Sequence, residues 1–283
     1  MRIKFSTGNT IRKLAYINES FFVSSSMPEI MKLYPMLYGK DFYRSTLAAH
    51  AIHRLGKDRE AFYSAVVHDN QKQIESLKSK EAKKLVDKAS IPMMSRHSGT
   101  FRSFKKSFIR TYKSAALFEP MVHKIFDIDL PKTLVVVLTE NIHGRLSCNM
   151  LYYNAGETAI SLTINHRIKE EPALAIGVVL RTLIRNRILQ GGFLKQKSGE
   201  ASAFADALLD YFAPNGMLSE GMHLSGRKPI SDYMKESATA YPGRAAISER
   251  LLPHMEEYYQ RFASITVWNY LKMTEFADFL ENR

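Results

Sequence analysis

The sequence predicts an α+β protein: a mostly helical N-terminal half, then a small β-sheet packed on a central buried helix with further helices after it. Three observations carry that reading. From about Pro28 to Glu119 the pattern is helical, punctuated by Pro35, Gly39, Gly56, Pro92 and Gly99. After Pro131 the period changes to two. Between Pro172 and Gln190 the chain is apolar on nearly every side, as a buried helix is. The chain accordingly divides into a helical, basic region of residues 1–118 and an α+β domain of residues 119–283.

Taken in order, residues 1–25 hold short apolar runs, Arg2 to Phe5 and Phe21-Phe22-Val23, on either side of Thr7-Gly8-Asn9, and predict a strand or two. Residues 71–90 alternate Ile74, Leu77, Ala82 and Leu85 with lysines, which predicts a solvated amphipathic helix ended by Ile91-Pro92. A second basic helix follows, with Phe101, Phe104, Phe108, Ile109 and Tyr112 at helical spacing. Strands are predicted at 133–139, 146–153 and 158–164, the last after Asn154-Ala155-Gly156. Glu170, Glu171 and Pro172 open the long helix, and Gly191-Gly192 close it after Gln190. Residues 199–213 and 245–280 predict two more helices.

Hydrophobic residues make up 45% of the 283 and aromatics 11%, which excludes disordered, collagen-like and low-complexity classes. The single cysteine, Cys148, excludes an intramolecular disulfide and a multi-cysteine zinc site, and points to a reducing cytoplasm. No run of roughly 18 apolar residues exists to span a membrane, and Met1 to Ser6 lack a signal peptide's apolar core, so a soluble, intracellular chain is expected.

Forty Lys and Arg against 28 Asp and Glu give a net charge of +12, which favours an anionic partner. Residues 71–113 hold 12 of the cations and only Glu75, Glu81 and Asp87 as acids, so they contribute +9. Within the second basic helix Arg102, Lys105, Lys106, Arg110 and Lys113 interleave with aromatics, as on a phosphate-contacting surface. The competing reading makes Phe101, Phe104, Phe108 and Tyr112 a core-facing stripe and the cations a solvated face. No helix-turn-helix, zinc-finger or aromatic RNA-binding signature adds to the nucleic-acid reading, and no Gly-rich phosphate loop is present.

Histidines give little. His50 and His53 lie within one turn, but Gly56 interrupts the path to His68-Asp69, and His166, His223 and His254 stand alone. Cys148 has no obvious base beside it and reads as core packing.

The order of strands, edge strand, buried helix and downstream acidic-aromatic helix over residues 131–215 resembles the zincin metallopeptidases of the gluzincin type. An apolar strand, a strand ending at Ile164-Asn165, Pro172 and then Ala175-Ile176-Gly177-Val178-Val179-Leu180 stand where that family carries similar words. There the central helix bears H-E-x-x-H, two histidines for zinc and a glutamate that activates water, and a third ligand comes from a phrase such as N-E-x-F-A. Here the motif position reads Arg181-Thr182-Leu183-Ile184-Arg185, and the later phrase reads Ala201-Ser202-Ala203-Phe204-Ala205-Asp206. The resemblance therefore implies a zincin-like domain without its ligands: no metal, no cofactor, no peptidase chemistry, and a role in binding an unidentified partner. Arg181 and Arg185, one turn apart, need charge partners, for which Glu200, Asp206 and Asp210 are the candidates. The alternative is an anion pocket in which the two arginines hold a carboxylate or phosphate.

Overall fold

The computed structural model describes residues 1–6, 8–26, 40–70, 72, 74, 76–89, 98–114, 118–140, 147–154, 156–164, 172–195, 199–215 and 242–281. The apolar run Leu134, Val135, Val136, Val137 and Leu138 is buried on both faces, as a central strand must be. It forms β2 (Thr133–Glu140), flanked by β1 (Arg2–Ser6) and β4 (Glu157–Ile164), both parallel to it. At the edge, β3 (Ser147–Tyr152) runs antiparallel to β4, giving the order β1-β2-β4-β3. Asn154 closes the β3–β4 turn by accepting from the Gly156 and Glu157 backbone N–H groups at 2.7 and 3.2 Å.

The chain forms two compact units: Met1–Ile109 with Pro131–Ala175, and Arg110–Leu130 with Ile176–Arg283. Each thus combines stretches from either side of the 118/119 boundary drawn on the sequence. The fold is α+β.

In the first unit α1 (Asn9–Ser26), α2 (Lys40–His53), α3 (Arg59–Val67), α4 (Leu77–Lys88) and most of α5 (Ser98–Ser114) accompany the sheet. Ile11, Leu14 and Ile17 of α1, Ile52 of α2, Phe62 of α3 and Val86 of α4 join Val135, Val137 and Ala159 in one core. Alternate residues of β2 thus serve this core, as the two-residue strand period requires. Phe104 and Phe108 are buried on α5, and Phe5 meets Phe108 edge-on at 5.7 Å. The Phe21-Phe22-Val23 run lies within α1 and is not a strand; the three- and four-residue spacing of Ile11, Leu14, Ala15 and Ile17 outweighs three apolar residues in a row.

Helix α3 ends in a Schellman motif. Asn70 N–H bonds Ala65 O at 2.8 Å and Asp69 N–H bonds Val66 O at 3.3 Å, with Asp69 held at φ 52°.

The second unit holds α6 (Phe118–Phe126), α7 (Pro172–Gln190) from Ile176 onward, α8 (Gly199–Asn215), α9 (Pro242–Glu257) and α10 (Val267–Leu271). Helix α7 has the boundaries its proline and glycines announce. Its Ile176, Val179, Leu180, Leu183, Ile184 and Ile188 are buried, and its two arginines of the motif position are half-buried. Gly191 is required at its end, because a Cβ there would lie 2.5 Å from Arg187 O and 2.6 Å from the Phe193 ring.

Residues 245–280 are not one helix. A π-type turn (Tyr258–Phe262) follows α9, and Thr266 and Thr274 then cap new short helices by accepting from the Asn269 and Phe276 N–H groups. Trp268 stacks on Phe193 at 4.8 Å and donates to Phe126 O, while Phe204 packs on Phe276 and Phe279. Tyr211 of α8 reaches α9 through a 2.8 Å bond to Ser248 O. No helix among the described residues is long and apolar enough to cross a membrane.

Candidate functional site

Arg181 and Arg185 are one turn apart on α7, and Ser202 and Asp206 are one turn apart on α8. Each pair shares a face of its helix, since four residues advance only about 40° around the axis. The two faces meet. Arg185 Nε donates to Asp206 Oδ1 at 2.8 Å and its Nη2 to Oδ2 at 3.2 Å, a two-pronged fork on the carboxylate. The same Nη2 donates to Ser202 Oγ. Arg181 Nη2 donates to the Asp206 backbone carbonyl at 3.1 Å and lies 3.7 Å from Oδ1. The Asp206 side chain is only 14% exposed, against 27% for Arg181 and 35% for Arg185.

Thr182, at the position of the family's glutamate, donates from Oγ1 to Val178 O of its own helix at 2.9 Å. Of the acids offered by the sequence, Asp206 is bridged by both arginines. Glu200 is exposed on the first turn of α8, about 200° around the helix from Ser202, and stays out of it. The Asp210 side chain lies outside the described residues, as do His166 and His223.

Chemically this is one carboxylate held by two guanidinium groups, neither of which has a lone pair free for a metal. Among the described residues no three His, Cys, Asp or Glu side chains are grouped so as to hold a metal ion.

The basic helix α5 divides as its period demands. Phe104 and Phe108 point into the core, while Arg102, Lys106, Arg110 and Lys113 are exposed on one face. Lys105 departs from them: its Nζ lies 5.6 Å from the centre of the Phe5 ring, and burial, then the nearby Arg12 charge, lowers its pKa. Cys148, on the edge strand β3, is half-buried and not in the core. His50 and His53 are exposed, and His254 meets the Phe276 ring edge-on.

One cluster escaped the sequence reading. Glu157 Oε1 lies 2.7 Å from His68 Nε2 and accepts from Tyr152 OH at 2.5 Å, with Lys4 Nζ 3.8 Å from Oε2. Burial, and then the bond to Glu157, pushes the Tyr152 hydroxyl well above its ordinary pKa. The only sequence signal for it is local: Tyr152 and Glu157 flank the Asn154 turn.

Comparison with known protein families, curated proteins and solved structures finds no match to this chain.

Proposed function

We propose that residues 131–215 are a zincin-type, metallopeptidase-like segment in which an arginine–aspartate bridge replaces the zinc site, and that the protein is a binding or interaction module, not a peptidase. One observation carries this reading. Positions 181, 185 and 202, where the resemblance puts the three ligands, adjoin one another in space, with Arg185 bonded to Ser202 and both arginines reaching Asp206.

In the family a cation gathers side chains from two helices. A guanidinium does the same here, tying α7 to α8 without a metal. What is lost is Lewis acidity and exchangeable water, since arginine stays protonated and donates only. The anion-pocket alternative has less support, because Asp206 already engages both guanidinium groups. The lone Cys148 fits a reducing, cytoplasmic setting for such a module.

Metal analysis and a peptidase assay on the purified chain test the proposal. We expect no stoichiometric zinc and no chelator-sensitive cleavage. One tightly bound zinc per chain, or cleavage abolished by chelator and restored by zinc, overturns it.

A further inference from the structure

Helix α4 is built with two unlike faces. Ser76 caps it by accepting from the Ser79 N–H at 3.1 Å, and Ala82 and Val86 are fully buried. On the opposite face lies a surface groove of about 540 Å³, lined by Ile74, Lys80, Lys83, Lys84, Asp87 and Lys88. Asp87 is already engaged. Lys83 Nζ is 2.7 Å from its Oδ2, Thr10 donates to its Oδ1 at 3.3 Å, and Lys13 donates to its backbone carbonyl at 2.6 Å.

Lys80, Lys84 and Lys88 are exposed and make no ion pair among the described residues. They stand at successive four-residue steps, about 6 Å apart along the axis. Like charges at that spacing destabilise a helix, and Glu81 and Asp87, three residues either side of Lys84, offset only part of that repulsion, so a bound anion would relieve the rest.

We propose that this groove binds the phosphate backbone of a nucleic acid without regard to base sequence. An even ladder of ammonium groups matches a polymer that repeats one anion at every residue, and lysine meets phosphate as a point charge without a directional fork. No aromatic side chain lines the groove to stack a base, which leaves the backbone as the part held. The exposed large apolar residues among those described, Tyr43, Leu47, Leu252 and Met273, are not on α4, so the helix lacks the apolar face that lies in a bilayer. Exposed Arg102 and Lys106 on α5 extend the positive field of the same unit.

The test is fluorescence anisotropy of the full chain with a labelled oligonucleotide, single-stranded and duplex, over a salt series. Lys80→Gln/Lys84→Gln/Lys88→Gln keeps helix propensity while removing the ladder. It should flatten the log affinity against log salt slope by about 0.7–0.9 per lysine, and weaken binding roughly 100-fold near 0.1 M salt. Arg102→Gln/Lys106→Gln, with the groove intact, should keep most of the slope. Affinity and slope unchanged by the triple substitution overturn the proposal, as does binding confined to phosphatidylserine vesicles or polyglutamate. The result is independent of the zinc measurement.

Discussion

Replacing Arg185 with methionine removes both prongs on Asp206 and the donor to Ser202, while leaving an unbranched apolar side chain on α7. Deleting one partner of a fully buried pair costs about 3–5 kcal/mol, whereas an exposed pair contributes about 0.2–1 kcal/mol. With Asp206 at 14% exposure and Arg185 at 35%, this bridge falls between those limits. Arg181, 3.7 Å from Oδ1, retains part of the carboxylate's compensation. The loss should be about 2 kcal/mol, or roughly 4–8 °C in Tm. Arg181→Met removes, among the described residues, one bond to a carbonyl and a longer ion contact on Asp206, and should loosen the bridge to Asp206 less than Arg185→Met does. Urea unfolding of Arg185→Met, Asp206→Ala and the double variant closes a cycle whose coupling should reach about 1–3 kcal/mol. The same curves with phosphate or citrate add the decisive control. A near-zero loss for Arg185→Met, together with anion protection of the parent that vanishes in the variant, refutes the internal bridge and establishes an open anion pocket.

Gly191→Ala should destabilise by about 1–3 kcal/mol, because its Cβ would meet Arg187 O and the Phe193 ring; thermal unfolding unchanged from the parent contradicts that packing. Asp69→Gly should raise stability by about 0.5–1 kcal/mol by relieving a non-glycine residue at φ 52°, and a drop in Tm would show that the aspartate's own contacts outweigh the strain. Burial pushes the Tyr63 and Tyr258 hydroxyls up to about 12, and burial with the bond to Glu257 does the same for Tyr270. The folded chain therefore holds protons that the unfolded chain releases above pH 10, so the contribution of these tyrosines should be fully present below pH 10 and be lost as pH rises from 10 towards 12. Urea unfolding across that window, with Tyr63→Phe flattening the decline, checks it, and a flat alkaline profile for the parent contradicts it.

What was legible in the sequence is what is written locally. The limits of α7 follow from Pro172 and Gly191-Gly192, and the strands from β-branched runs, because start, stop and period are properties of neighbouring residues. The helical period also runs straight through Thr266 and Thr274, which is why residues 245–280 read as one helix until the capping hydroxyls are seen in place. Strand β1 was visible as a strand, but its parallel pairing with Thr133–Val137 joins residues far apart in sequence and leaves no local trace. In the candidate site, helical phase selects Asp206 over Glu200 once Ser202 is known to face Arg185. Nothing in the order of residues brings His68 to Glu157.

The most direct measurement installs the family's ligands where the resemblance places them. Arg181→His, Thr182→Glu, Arg185→His and Ser202→Glu, with Asp206→Asn to avoid a stranded carboxylate, put two imidazoles and two carboxylates, that of position 202 as third ligand, where the bridge now stands. If those positions have the geometry of a zincin site, the variant binds one zinc per chain by calorimetry, and zinc raises its Tm above that of the metal-free form. A folded variant that binds no zinc, and whose unfolding zinc does not move, contradicts the zincin-type reading of residues 131–215.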